Sequence, residues 1–403
     1  MATVRWSDLP SSIVSLIATL ADSDIDLLRL RSVCSSWRSF LSLPPRKKTS
    51  LPALKKRGDE FLCMNPKESC NRSNHGSYNL IENTLYRLSS PIDPSVGWMF
   101  KASNTNANNF PLLIPLSANT KLRPPPHTIP KHINLLDYQI SEISKSYRLQ
   151  PVNCEGSPKH LFSVRCFRKV IPLFNYVVDC EFAALGFESS GDLSYWRSGD
   201  ENWTPLNTKG RFIQDAIFFD GRCYAIDRKG LLFVLDSKMQ LTVVVASSHG
   251  GANHSLVKCD SDLYVASETC GVAYEIVPGY APWYVDKMKV CKLNKCDGKW
   301  DCVEDLGDKI FLLSEDGSAV VSAKDFHGCK GNCVYFSGLL YKDITRKYQS
   351  KTSIEIVEPY GHLAIIYHLD KKITVKMHED GESRKLYWPP PSWLMPNPSS
   401  THL

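Results

Sequence analysis

The apolar positions of this chain follow a helical period at the start and a strand period afterwards. Between residues 5 and 43, Pro10 stands where the first turn of a helix tolerates proline, and Pro44 with Pro45 ends the pattern. Because apolar residues recur at intervals of three, four and seven, the spacing predicts two or three short helices. The residues of this stripe are Ile13, Leu16, Ile17, Leu20, Leu27, Leu30, Cys34, Trp37 and Leu41.

From about residue 60 onward, short apolar runs alternate with turn signals. Asp-Gly pairs at residues 220–221, 297–298, 316–317 and 380–381 lie between such runs. This dipeptide is a strong hairpin signal, because glycine adopts a positive φ at little cost. The clearest case is CYAIDRKGLLFVLD, which predicts two strands around Asp227–Gly230. This part of the chain is therefore predicted to be all-β.

A weak repeat relates these strands. Apolar-aromatic strand centres at Val178, Tyr224, Tyr264 and Phe311 lie 40 to 47 residues apart, and GDENW and CDGKW share a turn followed by a tryptophan. Such a period is typical of β-propeller blades, and about 340 remaining residues would make about six or seven of them. A pair of β-sandwiches is the alternative, although it needs no repeat. Residues 133–149 are an exception, predicted to be helix-like or mixed.

Composition narrows the class of protein. Of the 403 residues, 43% are apolar and 22% are charged, which argues for a folded core, and the net charge of +6 does not demand nucleic acid. The sequence has neither a secretory-signal pattern nor a run of about 20 apolar residues, so we expect a soluble intracellular protein. In that setting the fourteen scattered cysteines are interpreted as buried thiols. The spacing of His327, Cys329 and Cys333 is awkward for zinc.

The sequence contains no recognisable catalytic set. It has no phosphate-binding loop, no G-x-S-x-G elbow and no H-E-x-x-H pair, and its histidines are isolated. Arg29, Arg31 and Arg38 could contact phosphate, but no recognition helix follows them. We interpret these arginines as the solvated face of an amphipathic helix or as partners of an acidic protein. We therefore expect no enzymatic activity, no metal, no cofactor and no nucleic acid.

The helical unit is too small to be stable by itself. Units below about 40 residues usually need a metal, a disulfide or a partner, and this one holds a single cysteine and no histidine, so a partner is expected. The stretch after it carries basic clusters at residues 46–48 and 55–57, which predict a solvated linker, with a nuclear-import signal as the alternative. The late stretch YWPPPSWLMPNP predicts a rigid closing tail, with a proline-motif ligand as the alternative.

The stretch WSDLPSSIVSLIATLADSDIDLLRLRSVCSSWRSFL resembles an F-box, the motif by which substrate receptors bind the Skp-type adaptor of SCF ubiquitin ligases. Leu9-Pro10 and the run from Leu30 to Arg38 match the motif, and Ser12 departs from it where an acidic residue is common. A few large apolar side chains would dominate adaptor binding, while others would hold the helices together. The residues expected to bind the adaptor are Leu9, Pro10, Ile13, Ile17, Leu27, Leu30, Val33 and Trp37.

The remainder resembles plant F-box proteins with a KIB-type β-propeller. The resemblance is carried by GDENWTPL, FFDGRCYAIDRKGLLFVLD, LVKCDSDLYVAS, DFHGCKGNCVYF and WPPPSW, and it places Cys329 and Cys333 in a strand-turn motif with no metal implied. A multidomain chain is therefore predicted. Its parts are a small all-α F-box of three short helices at 3–43, a basic linker at 44–59, an all-β propeller of kelch-like blades at 60–395 and a disordered tail at 396–403.

The resemblance implies a non-enzymatic substrate-recognition subunit of an SCF-type E3 ubiquitin ligase. The F-box would bind the Skp-type adaptor and through it the cullin–RING ligase, and the propeller would bind an unidentified protein substrate in the nucleus and/or cytoplasm. No cofactor, nucleic acid or membrane is expected to take part. Two alternatives stay open: a non-ligase F-box scaffold or regulator in the nucleus, and a propeller enzyme or sugar-binding domain, which the absence of catalytic residues disfavours.

Overall fold

Most of the chain is described by a computed structural model. The basic clusters, Val178, residues 380–381 and the proline-rich C-terminal stretch lie outside the described residues, so the interpretations made for them stay predictions. The described residues are 6–21, 24–41, 50–52, 77–104, 111–118, 121, 138–151, 167–177, 180–188, 191–245, 253–272, 283–337 and 364–376.

The short helices predicted near the start of the chain are confirmed. Pro10 immediately precedes the first helix, with a φ of −57° and a non-helical ψ of 144°, where its missing N–H costs no helical hydrogen bond. The Cys34 sulfur accepts a hydrogen bond from the backbone N–H of Trp37 at 3.4 Å and so caps the third helix. The elements are a 3-10 turn at Trp6–Asp8, α1 (Ser11–Thr19), α2 (Asp24–Ser32) and α3 (Ser35–Phe40).

The described residues after the helices form five β-sheets, and each sheet, or blade, comes from one continuous part of the chain. Blade 1 contains β1 (Ser50–Pro52), β2 (Ser77–Ser89), β3 (Gly97–Ser103), β4 (Leu112–Leu113) and β5 (Gln139–Pro151). Blade 2 contains β6 (Phe167–Phe174), β7 (Phe182–Glu188), β8 (Leu193–Arg197) and β9 (Thr204–Pro205). Blade 3 contains β10 (Ile213–Phe219), β11 (Arg222–Asp227), β12 (Leu232–Leu235) and β13 (Leu241–Val245).

The last two blades complete the fold. Blade 4 contains β14 (Asn253–Cys259), β15 (Asp262–Val272), β16 (Trp283–Asn294) and β17 (Lys299–Val303). Blade 5 contains β18 (Lys309–Ser314), β19 (Gly317–Ser322), β20 (Cys333–Ser337), β21 (Ala364–His368) and β22 (Ile373–Lys376). A 3-10 turn at Ala323–Asp325 leads from β19 across β18 to β20, which pairs with β18 in parallel, so blade 5 is ordered β19-β18-β20-β21-β22.

The five blades close into a ring through their innermost strands. Blades 2, 3 and 4 are paired in chain order with β6, β10 and β14 at one edge, while β5 and β19 occupy that place in blades 1 and 5. Each of these strands contacts the next, and β19 contacts β5 to complete the circle. The apolar core accordingly lies in five clusters, one at each seam between adjacent blades. The expected architecture, short helices followed by a β-propeller, is confirmed, with five blades.

The expectation of six or seven blades is therefore wrong. The 40-to-47-residue repeat was measured over the middle of the chain, where blade 3 spans residues 213–245 and blade 4 spans 253–303. Blade 1, in contrast, takes residues 50–151, and blade 5 takes residues 309–376. Blades 1 and 5 have five strands each, β2 and β5 of blade 1 have 13 residues each, and these two blades take up the length that the period assigned to additional blades.

The helix-like expectation for residues 133–149 is also wrong from residue 139 onward, where β5 runs antiparallel to β2 from Gln139 to Pro151. The register shifts at Ile143, which is left over between the paired residues on either side. This β-bulge places Ile140 and Ile143, three residues apart, in contact with apolar clusters of the core. Apolar residues three apart are also typical of a helix, so the sequence pattern of this segment does not show the two-residue period of a strand. Residues 50–52, within the expected linker, pair with β2 as well.

Local turn chemistry behaves as the sequence predicts. The hairpin around Asp227–Gly230 is confirmed, with β11 and β12 paired on either side. The Asp227 carboxylate accepts the backbone N–H groups of Lys229 and Leu231 at 2.9 and 3.0 Å. The two repeated tryptophans also have equivalent roles, because each indole N–H donates to a carbonyl of the preceding blade: Trp203 to Pro52 at 2.8 Å and Trp300 to Gly230 at 3.2 Å.

Candidate functional site

The helical unit has a small core of its own. Val14, Trp37 and Leu41 are buried, and Trp37 retains only 3% of its surface exposed. The Trp37 indole donates a hydrogen bond to the Trp6 carbonyl at 3.0 Å, and the two rings meet edge to face. This core holds the three helices together without using every apolar side chain of the unit.

Three of the exposed apolar side chains of the helical unit lie on one face of α1 and at its C-terminal end. Ile13, Leu16 and Leu20 are 43%, 61% and 76% exposed. Because they are three and four residues apart, Ile13, Leu16 and Leu20, the residue that caps the C-terminus of α1, share one side of the helix, away from the side that buries Val14. Grouped exposed apolar side chains of this size mark surfaces that partners cover. We call these three residues the α1 face.

The structure separates the eight residues predicted to bind the adaptor into two groups. Pro10, Ile13 and Val33 are exposed, whereas Trp37 is in the core. The four that pack partly buried around that core are Leu9, Ile17, Leu27 and Leu30.

Leu16 and Leu20, the most exposed apolar residues of α1, were absent from the predicted set. The apolar stripe of the sequence includes both residues, but the helical period alone does not show that they are exposed. Ile17 is four residues from Ile13 and three from both Val14 and Leu20, so it lies between the two sides of the helix. Only the packing around Val14 shows which side is covered.

The α2 helix is fixed against blade 1. Ile25 packs on the apolar cluster of Leu88, Trp98 and Ile140. Arg29 pairs with Asp26 at 2.8 Å and donates to the Ile140 carbonyl of β5 at 2.7 Å. A charge-assisted hydrogen bond of this kind holds a charged side chain in a half-buried position.

These contacts correct the interpretation of Arg29, whereas Arg38 is exposed. Arg29 joins α2 to the propeller and is not part of a solvated face. Arg31 and Arg38 exchange hydrogen bonds with each other's backbone carbonyls at 3.2 and 3.3 Å, which ties α2 to α3. The three side chains therefore stabilise the helical unit and its position on blade 1.

A buried ion pair closes the ring between blades 1 and 5. The Lys101 ammonium contacts both oxygens of the Asp316 carboxylate at 2.7 and 2.9 Å. The hydroxyls of Ser146 and Ser314 donate to the same carboxylate at 2.6 and 2.5 Å. Burial alone would raise the pKa of Asp316, but Lys101 and the two hydroxyls outweigh it and lower the pKa to about 2. The carboxylate is thus charged and fully paired, which suits a structural role.

A second buried carboxylate connects three blades. Asp215 of β10 pairs with Lys169 of β6 at 2.6 Å and accepts the backbone N–H of Leu256 in β14 at 2.7 Å. Nearby, His254 meets the Ser267 hydroxyl at 2.8 Å, and burial lowers the pKa of that histidine. Asp215 and its partners therefore join blades 2, 3 and 4, and the pair of His254 and Ser267 lies within blade 4.

The cysteine-rich motif DFHGCKGNCVYF also packs into the fold. Cys333 is buried in β20, with its sulfur 3.1 Å from His368 Nδ1 and 3.1 Å from the Gly331 carbonyl. Throughout the part of the chain that the structure describes, no cluster of three or more His, Cys, Asp or Glu residues is arranged to hold a metal ion. No helix in those ranges has the length and apolar character needed to cross a membrane.

Comparison with known proteins agrees with this architecture. Residues 77–367 match the family model described as the KIB1-4 β-propeller. F-box protein SKIP23 of Arabidopsis thaliana is 27% identical, covering 97% of this chain and 96% of its own length. F-box protein At2g17036 of the same plant is 27% identical over 96% of this chain and 94% of its own length. The chain therefore belongs to the KIB1-4 β-propeller family and, like these full-length relatives, to the F-box proteins.

Proposed function

We propose that this protein is a non-catalytic substrate receptor of an SCF-type E3 ubiquitin ligase. The helical unit binds a Skp-type adaptor and through it the cullin–RING ligase, while the propeller binds a target protein in the nucleus and/or cytoplasm. The observation that carries the proposal is the α1 face, which leaves three large apolar side chains uncovered beside an intact helical core. The similarity to full-length F-box proteins supports a Skp-type adaptor as the partner that would cover it.

The exposed residues are proposed to make the adaptor contacts. Burying a leucine contributes about 1.5–3 kcal/mol, so Leu16 and Leu20 together supply a large part of a typical binding energy. Ile13, the third residue of the α1 face, and the exposed Pro10 and Val33 add to these contacts in the proposal. Leu9, Ile17, Leu27, Leu30 and Trp37 act indirectly, because they hold the helices in the arrangement that presents this surface.

The contact between α2 and blade 1 gives the receptor a defined geometry. Ile25 and Arg29 hold the helical unit against the propeller, so a target bound to the propeller keeps one orientation relative to the adaptor. In this proposal ubiquitin transfer is accelerated by proximity, since a held target lysine meets the charged E2 at a high effective concentration. The protein itself supplies no reacting group.

Adaptor binding is tested by placing a charge on the α1 face. Leu16→Glu is expected to lower affinity for a Skp-type adaptor by at least about 30-fold, the equivalent of losing about 2 kcal/mol of apolar burial. Ile373→Glu is the matched control, because Ile373 is also a partly exposed apolar residue but lies in blade 5. Isothermal titration of purified full-length chain against the adaptor measures both. Equal affinities of the two variants would refute the assignment of this face.

Trp37→Ala tests the residues that are proposed to act indirectly, by holding the three helices together. It removes the centre of the helical core, so adaptor binding is expected to disappear together with the helical circular-dichroism signal, while the strand signal persists. Leu16→Glu, in contrast, should lose binding with its helices intact. If a Trp37→Ala chain with unfolded helices still bound the adaptor, the proposed indirect role of the helical core would be contradicted.

The ligase role is separated from a scaffold role by what happens to the captured protein. Proximity labelling with the full-length chain, with ligase activity blocked, should recover the adaptor, the cullin and a target. When the block is released, the target should gain ubiquitin in cells expressing the wild-type chain and not in cells expressing Leu16→Glu. Adaptor binding with no ubiquitinated partner would favour the F-box scaffold, the alternative suggested by the basic stretch at residues 44–59.

A further inference from the structure

A pair of thiols in blade 4 differs by its geometry from the other cysteines in the part of the chain that the structure describes. Cys291 of β16 and Cys302 of β17 are directly opposite each other in the antiparallel ladder. The Cys291 thiol donates to the Cys302 sulfur across 3.4 Å. Residues opposite each other in such a ladder have Cβ atoms about 4.5–5.5 Å apart, close to the separation a disulfide needs.

The two cysteines differ in their access to solvent. Cys291 is completely buried in the cluster between blades 3 and 4, whereas Cys302 is exposed. Burial, together with the neighbouring Cys302, raises the pKa of the Cys291 thiol to about 12. Cys291 therefore stays a protonated thiol at neutral pH, and Cys302 is the sulfur that a dissolved oxidant can reach.

We propose that Cys291 and Cys302 are a reversible dithiol site that a peroxide converts to a cross-strand disulfide. In the first step the Cys302 thiolate attacks one peroxide oxygen, which gives a sulfenic acid and hydroxide. In the second step the Cys291 sulfur attacks the Cys302 sulfur, and the departing hydroxide leaves with the Cys291 proton as water. In sum, two thiols and one hydrogen peroxide yield one disulfide and two waters.

The geometry favours this pairing over oxidation of Cys302 alone. The resolving thiol is already in contact, and closing from 3.4 Å to a bond of about 2.05 Å requires only side-chain rotation. The bond would join the outermost strand of blade 4 to its neighbour, because β17 lies at the edge of its sheet and pairs with β16. That edge also carries Trp300, whose indole donates to blade 3, so oxidation acts on an element that joins two blades.

The sequence makes the pairing directly readable by peptide mapping. Trypsin cuts after lysine, and Lys289, Lys292, Lys295, Lys299 and Lys309 place the three local cysteines in separate peptides. Cys291 lies in VCK, Cys302 in WDCVEDLGDK and the exposed Cys296, from the turn between the strands, in CDGK. Cys296 is thus an internal control with the same oxidant and a similar exposure.

The experiment treats the purified full-length chain with hydrogen peroxide, blocks remaining thiols and maps the peptides by mass spectrometry. VCK linked to WDCVEDLGDK is expected, lighter than the two free peptides by two hydrogen atoms, and dithiothreitol should reverse the link. Cys302→Ser should abolish it, and Cys296→Ser should leave its yield unchanged. Linkage of CDGK to either peptide in its place, or over-oxidised Cys302 without a link, would overturn the proposal. Because the readout needs no adaptor, it is independent of the proposed ligase function.

Discussion

The buried pair of Lys101 and Asp316 makes a strong prediction about how the propeller closes. Asp316→Asn removes the charge that balances Lys101, while both side chains lie at 3% exposure or less. Breaking a buried ion pair by removing one partner typically costs about 3–5 kcal/mol, since the other charge is left uncompensated. We expect Asp316→Asn to lower the free energy of unfolding by that amount at neutral pH, with the seam between blades 1 and 5 opening first.

The same carboxylate makes the stability of the folded chain depend on pH. The pKa of Asp316 falls from an ordinary value of 3.8 to about 2 in the folded chain, so the folded state favours the charged form. Its contribution is present above about pH 5 and is lost as the pH falls through 2, and the shift corresponds to roughly 2–3 kcal/mol. The difference in stability between wild type and Asp316→Asn should therefore shrink by most of that amount between about pH 5 and pH 2, and the remainder should be lost below pH 2.

The assay is urea unfolding of full-length chains followed by tryptophan fluorescence at several pH values. Asp220→Asn is the matched control: Asp220 pairs with Lys295 at 3.3 Å on the surface between blades 3 and 4, so only the small loss typical of exposed pairs is expected. Adding Lys101→Met to Asp316→Asn should recover part of the loss by removing the unpaired charge. If Asp316→Asn lowers the free energy of unfolding no more than Asp220→Asn does, the buried ion pair does not stabilise the ring, and this prediction is refuted.

Three further predictions concern single contacts. Gly331→Ala should lower the free energy of unfolding by more than 1 kcal/mol in thermal denaturation, because its Cβ would lie 2.6 Å from the Asp308 backbone; a neutral result would show that the loop can move away. Arg29→Ala should speed hydrogen exchange in α2 while leaving the blades protected, since the bond to the Ile140 carbonyl is lost; unchanged exchange would show that Ile25 alone holds the helix. Trp300→Phe should cost about 1 kcal/mol in urea unfolding through loss of its indole hydrogen bond, and a change near zero would exclude a stabilising role for that bond.

The candidate site was only partly accessible to sequence reasoning. The motif WSDLP and the helical stripe were sufficient to locate the helices and to identify apolar residues as the functional ones. They did not separate Ile13 from Ile17, because both are apolar and belong to one helix, and only the packing of Val14 and Trp37 shows which side is covered. Arg29 is a similar case, since its partner is a carbonyl more than one hundred residues away.

The sequence by itself determined the local elements: the three helices, the Asp-Gly hairpins and the repeated tryptophan turns. These depend on backbone preferences and spacing within a few residues, which the chain carries wherever it packs. The tertiary structure decided the number of blades, the strand character of residues 139–151 and the division between core and exposed face. Those outcomes depend on pairing between distant segments, as when β5 pairs with β2 and β19 contacts β5, and such contacts leave no period in the sequence.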